Sequence, residues 1–283
     1  MLFIKVEDIR PTGIRYNVTF VLAHQLLRNI LPFSSLLFTI HYHGNFVRTF
    51  APNRYTMQKS IPASVFSFLE ELKENNNREW FNENKERYQE QHGLVVQFAD
   101  ELLEKMKQVD NIETASGKKS IFRIHKDVRF SKDKSPYKTN IGGAFTRATK
   151  ELRGGYYFHI EPGNCFLGGG FWGPSPEDLK HIRMQIAADP EPLQEILASK
   201  EFISTFGKLE GEQLKTAPKG FDKDHPAIHL INYKQFLLVK RFTDKQAQSE
   251  KYLENVFTTF QAMRPFFDYM SEILTTDLNG EAL

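Results

Sequence analysis

Beyond Met57 the apolar positions of this chain first recur at helical spacing and then at alternate residues. Val65, Phe66, Leu69 and Leu72 fall on one side of a helix that Ser60-Ile-Pro-Ala opens and Asn75-Asn76-Asn77 closes, because asparagine tolerates turn conformations well. The same spacing predicts a second helix over 78–91, carrying Trp80, Phe81 and Tyr88, and a third over 94–108, carrying Val95, Phe98, Leu102, Leu103 and Met106. The period then shortens to two. Residues 121–130 alternate apolar and charged side chains, as a half-buried strand does. Shorter strands are expected at 142–147, 155–161 and 164–167, separated by glycine turns. Their connections are too short for parallel crossovers, so the sheet should be antiparallel.

Ser175-Pro-Glu-Asp then starts a helix with a hydroxyl cap, a proline in the first turn and an acid three residues after the cap. It should run to Ala188, and one or two shorter helices should occupy 192–206. Late strands are expected near Leu214 and over 235–242. A closing helix over 249–273 places Tyr252, Val256, Phe260 and Met263 on one side, with a bend at Pro265. These elements predict an α+β domain over 57–283, an antiparallel sheet packed by helices from both ends of the chain.

Residues 1–56 differ from this body. The run 18–40 is apolar but interrupted by His24, Gln25, Arg28, Asn29 and Pro32. A central arginine costs about 2.5–3.5 kcal/mol on insertion, which argues against a membrane span. Glu7 and Asp8 stand where a secretory leader would be basic. The segment is read as a non-domain extension, with Met57 as a possible true start. An appended helix near 23–30 is the alternative.

Composition narrows the function classes. The 37 Lys/Arg and 35 Asp/Glu leave a formal charge of +2, and the basic excess sits in the first 56 residues. A body so nearly neutral is a poor match to a phosphate backbone, so nucleic acid is not a favoured partner. Cys165 is the single cysteine, which rules out an internal disulfide and a four-thiolate zinc site and fits a cytoplasmic protein. No cofactor is implied, and the oligomeric state is not legible.

The densest chemistry lies between Lys118 and Lys138, where only Asp127 and Asp133 offset the cations. On an extended segment Arg123, His125, Asp127 and Arg129 would share one face. The loop after them adds Lys132, Lys134, Tyr137, Lys138 and Asn140. Guanidinium, ammonium and hydroxyl donors in this density suit a phosphate or carboxylate. The expected activity is therefore binding of a small phosphorylated or carboxylated ligand between this segment and a turn exposing Trp172. The alternative is a hydrolase or transferase in which Asp127 orients His125 for acid–base work. The plain reading competes with both: a solvated face whose charges pair with their neighbours and contribute under about 1 kcal/mol each.

Other motifs are weaker. His159 and Glu161 repeat the spacing of His125 and Asp127, so a metal could join the two pairs if their strands were neighbours, although Arg123 and Arg129 would oppose it. Gly168, Gly170 and Gly173 satisfy G-x-G-x-x-G, but Phe171, Trp172, Glu177 and Asp178 are wrong for pyrophosphate, and the glycines read as a tight turn. Cys165 reads as a small buried side chain, and His225 and His229 as capping groups.

Several runs together carry a resemblance: Phe68-Leu69, Asn75-Asn76-Asn77-Arg78-Glu79-Trp80-Phe81, the long run from Phe122 to Asn140, Gly154-Gly155-Tyr156-Tyr157, Gly169-Gly170-Phe171-Trp172, and Pro218-Lys219-Gly220-Phe221-Asp222 with His225-Pro226-Ala227. Over residues 62–269 the chain resembles the conserved hypothetical proteins grouped as domain of unknown function 2461, and residues 1–56 have no counterpart in that pattern. The resemblance implies a stand-alone, cytosolic domain. It transfers no catalytic residue, substrate or cofactor.

Overall fold

Between residues 141 and 171 each glycine-bounded apolar run becomes one strand of an antiparallel meander. The computed structural model of the protein describes residues 57–283, and the extension expected at residues 1–56 lies outside them. Strands β1 (Ile141–Thr146), β2 (Gly155–Ile160) and β3 (Cys165–Phe171) follow one another, and β4 (Phe236–Phe242) pairs with β3 after a helical insertion. Every pairing is antiparallel, with Ile141 opposite Ile160, Tyr157 opposite Gly168, and Gly170 opposite Leu237. Helices α1 (Ala63–Glu74), α2 (Arg78–Glu83), α3 (Lys85–Met106) and α4 (Gly117–Ser120) precede the sheet. The insertion holds α5 (Pro176–Ala188), α6 (Glu191–Ala198), α7 (Lys200–Phe206) and α8 (Ile228–Ile231), and α9 (Asp244–Ala247), α10 (Tyr252–Ala262) and α11 (Arg264–Ile273) follow β4. The architecture is α+β, as expected.

Local signals place most boundaries. Ser175 accepts the Asp178 N–H at 3.0 Å, so α5 begins where the hydroxyl, proline and acid pattern puts it. The expected break between the second and third helices is displaced, because α3 runs unbroken through Gly93. That glycine faces open space, and its cost of about 1 kcal/mol is small beside the continuous buried stripe of Gln91, Val95, Phe98, Leu102 and Met106. The break falls at Asn84 instead. The bend expected at Pro265 is a full break, with Met263 separating α10 from α11 and the proline tolerated in the first turn of α11.

Three strand expectations fail. Residues 121–130 do not join the sheet as a strand; their backbone pairs with it at an isolated bridge between Ile121 and Gly143. The segment pairs with its own return: the Lys126 N–H donates to Pro136 O at 2.9 Å and the Lys138 N–H to Ile124 O at 2.8 Å. Near Leu214 there are isolated bridges, Glu210 with Leu237 and Gln213 with Tyr233, and no strand. Gly168 and Gly170, read as a turn, lie inside β3.

One sheet face meets the helices. Tyr156, Phe158, Ile160, Leu167, Phe236 and Leu238 are buried there against Phe98, Phe260 and Phe267, each large side chain contributing about 1.5–3 kcal/mol by leaving water. At one end Arg147 is buried, with its guanidinium 2.9 Å from Asp110 and 2.6 Å from Asp268, and the Tyr156 hydroxyl donates to Asp110 at 2.5 Å. The paired charges tie β1 and β2 to the α3 exit and α11.

Candidate functional site

Two groups of ionisable side chains flank the sheet, and they differ in enclosure. The first is the basic ribbon of residues 122–139. Arg123, His125, Asp127, Arg129 and Lys132 are all exposed. Asp127 gives both carboxylate oxygens to Arg129, at 2.9 and 2.7 Å, and that guanidinium holds its carboxyl below the usual range. Lys126 pairs with Asp133 at 2.7 Å, and with Ser135 it holds Asp133 far below the usual range. Lys134 donates to Val128 O at 2.9 Å. Much of the ribbon's charge is thus spent on itself.

The base of the ribbon is better anchored. Tyr137 is buried and stacks on Phe81 with centroids 3.9 Å apart, while the His125 ring lies 5.2 Å from Tyr137. The Asn76 side chain donates to Tyr137 O at 2.9 Å and accepts the Tyr137 N–H at 3.1 Å, in the manner of a neighbouring peptide group. A shallow cleft of about 520 Å³ separates Asn76–Glu79 from Val128 and Lys134.

The second group lies on the sheet face turned away from the helices. Alternation along β2 sends Tyr157 and His159 to this face, with Glu161 just beyond the strand. The Tyr157 hydroxyl is 2.7 Å from His159 Nδ1, and His159 Nε2 is 3.2 Å from Glu161 Oε2. Asn164 and Thr139 donate to Glu161 at 2.8 and 3.2 Å. Burial pushes the Glu161 carboxyl up, but the bonds from Asn164 and His159, with the imidazole charge, outweigh it and leave the group below its usual range. Burial, with the Glu161 charge, pushes the Tyr157 phenol up. His159 is 8% exposed and stacks on Phe166 with centroids 4.6 Å apart.

Beside this row is a groove of about 440 Å³, walled by Tyr157, His159, Phe166, Trp172, Leu237 and Val239 over a floor of Gly168, Gly169 and Gly170. Its size and apolar lining suit a small molecule. The three glycines have separate reasons. A Cβ on Gly169 would lie 2.5 Å from Met263 Sδ on the helix side, and one on Gly170, at φ +117°, would lie 2.1 Å from Phe236 O. A Cβ on Gly168 would meet ordinary contacts, 3.6 Å from Tyr157 and 3.9 Å from Phe166. The floor at Gly168 is therefore open because the side chain is missing.

Of the residues expected to bind ligand, Trp172 lines the groove and is 74% exposed. Lys138 is not among the groove residues; its Nζ is 5.8 Å from the centroid of Phe122, which in turn stacks on Tyr157 at 6.1 Å. Asn140 sits just before β1. Arg123, His125, Asp127, Arg129, Lys132, Lys134 and Tyr137 are not among the groove residues. The two histidine–acid pairs do not meet: His125 packs on Tyr137 and Phe81, and His159 on Phe166. Among the described residues no three His, Cys, Asp or Glu side chains stand close enough to hold a metal ion. Cys165 is buried and its thiol is pushed up to about 11, chiefly by burial. His225 caps a turn, accepting the Ala227 N–H at 3.0 Å.

Sequence reasoning noted His159 and Glu161 only as metal ligands and missed Tyr157, Phe166, Leu237 and Val239. The signal was present as Tyr-x-His-x-Glu, a polar row at strand period on an otherwise aromatic strand. Among the described residues no helix is long and apolar enough to cross a membrane. No curated protein and no solved structure matches the chain. Residues 64–269 match the family described as conserved hypothetical protein, DUF2461. Its four-stranded meander and the groove on its outer face thus belong to a member of the DUF2461 family.

Proposed function

We propose that the protein binds a small ligand with a flat apolar body and a phosphate or carboxylate group. The body lies over Gly168 between Trp172 and the Tyr157–Phe166 wall, and the acidic group reaches the Lys138 end of the basic ribbon. The groove itself carries this reading: a half-open, aromatic-walled space whose floor is left open by a glycine free of conformational or steric need. The ribbon contributes at its base, where Phe122, Lys138 and Thr139 approach the sheet face. A cytoplasmic setting fits, since the one cysteine is a buried, unpaired thiol.

Titration of the full chain with aryl phosphates and aryl carboxylates, followed by Trp172 fluorescence in a Trp80→Phe background, tests the reading. Saturable quenching is expected, and Gly168→Val should abolish it while leaving the thermal unfolding midpoint close to that of the parent. Quenching that survives Gly168→Val would place the ligand elsewhere and end the proposal.

A further inference from the structure

The outer end of the basic ribbon carries an apolar ring with no core to serve. Phe130 is 95% exposed, more than any other large apolar side chain among the described residues, and the Arg129 guanidinium lies 5.8 Å from its ring centroid. A lone apolar side chain at a surface is ordinary; the charges around this one are not. Residues 122–139 hold six Lys/Arg and two Asp/Glu, whereas the rest of 57–283 holds 25 and 31. Both ribbon carboxylates are engaged within the ribbon, Asp127 by Arg129 and Asp133 by Lys126. Arg123, Lys132, Lys134 and Lys138 pair with no carboxylate among the described residues, although Lys134 donates to Val128 O. The ribbon is thus a cationic arm on an acidic body. Phe130 stands five residues beyond the His125–Tyr137 bridge, a reach of up to about 17 Å at strand rise. That is about twice the screening length at physiological salt, so an anionic surface met by the tip is largely shielded from the acids of the body.

We propose that the ribbon tip docks on an anionic lipid bilayer, with the Phe130 ring entering the boundary between headgroups and acyl chains and Lys132 and Lys134 remaining among the headgroups. A bilayer offers both things the tip requires, negative charge and an apolar layer beneath it. A nucleic-acid strand fits less well, because strand binders line a cationic track with successive rings. The other exposed ribbon aromatic, Phe122, lies eight residues away and stacks on Tyr157. One ring and a few cations make the attachment weak and reversible. This inference does not rest on the groove being a ligand site.

The test is sedimentation of the full chain with vesicles of phosphatidylcholine, alone or mixed with phosphatidylserine. Binding is expected to the mixed vesicles, to fall at least about tenfold on phosphatidylcholine alone, and to be lost in about 0.5 M salt. Phe130→Ser should weaken it about tenfold and Lys132→Ala about fivefold, each with the thermal unfolding midpoint unchanged. Lys219→Ala, which removes an exposed cation away from the ribbon, should weaken it less than about twofold. Insertion is read separately: with Trp80 and Trp172 replaced by Phe, the emission of Phe130→Trp should shift to the blue on adding mixed vesicles. Sedimentation with neither vesicle, equal sedimentation with both, parental binding by Phe130→Ser, or no blue shift would each overturn the proposal. So would retention of a poly-uridine strand by a chain that ignores the vesicles.

Discussion

His125 with Asp127 and His159 with Glu161 repeat one local pattern, a histidine and an acid two residues apart, in opposite surroundings. On the ribbon both members are exposed, and Asp127 turns to Arg129 in preference to its histidine. On the sheet face the imidazole is enclosed, stacked on Phe166, and bonded at both nitrogens. Water competes for every hydrogen bond of the first pair, while the second is sheltered by aromatic rings and by the pleat of the strand. Spacing alone therefore does not assign chemistry; the low-dielectric setting on one side of β2 does.

The comparison can be broken most forcefully at the strand that supports the enclosed row. Gly170→Ala, with its Cβ driven toward Phe236 O at a positive φ, should destabilise by about 1–3 kcal/mol in urea unfolding. Gly168→Ala on the same strand should change stability by less than about 1 kcal/mol, since only ordinary contacts await it. Equal effects at the two glycines would contradict the reading that Gly170 is required by the backbone and Gly168 is not.

A smaller effect separates the two pairs directly. A double-mutant cycle between Tyr157→Phe and His159→Gln should show a coupling of about 0.5–3 kcal/mol, as expected for bonded neighbours. The matching cycle between Asp127→Asn and Arg129→Gln should show none in the same unfolding measurement.

Acid titration sharpens the contrast further. Glu161 has a lowered folded-state pKa, so its contribution is complete above its ordinary value and is lost as pH falls through the depressed one. Glu161→Gln should flatten the acid limb of the stability–pH curve. Asp127 is lowered as well and has the same sign, but its pair is exposed. In about 0.5 M salt its share should vanish while that of Glu161 persists. The smallest effect is expected for Lys132→Ala, an exposed ribbon cation, which should leave the unfolding midpoint unchanged.

Much of the fold was legible because alternation and helical spacing report burial. β1, β2 and β4 fall close to their expected positions, and the α5 cap lies where hydroxyl, proline and acid coincide. Residues 121–130 mislead because alternation also suits a ribbon that folds back on itself, and period two says nothing about which partner supplies the hydrogen bonds. β3 outruns its expected end because its glycines make room for Met263, for Phe236 and for the groove, where turns were expected. The site was legible only in fragments. Trp172 and Lys138 stood out as exposed aromatic and cation, whereas Tyr157, Phe166 and Leu237 look like core on a strand and acquire their role from strand pairing distant in sequence.

The Asn76 amide that matches both backbone groups of Tyr137 makes the polar part of the ribbon's attachment to the helices depend on one side chain. Loss of ammonia from that side chain would replace a donor by a second acceptor facing the Tyr137 carbonyl. Chemical ageing at a single position would thus convert a latch into a repulsive contact, leaving the Tyr137–Phe81 stack to hold the base of the ribbon against the helices.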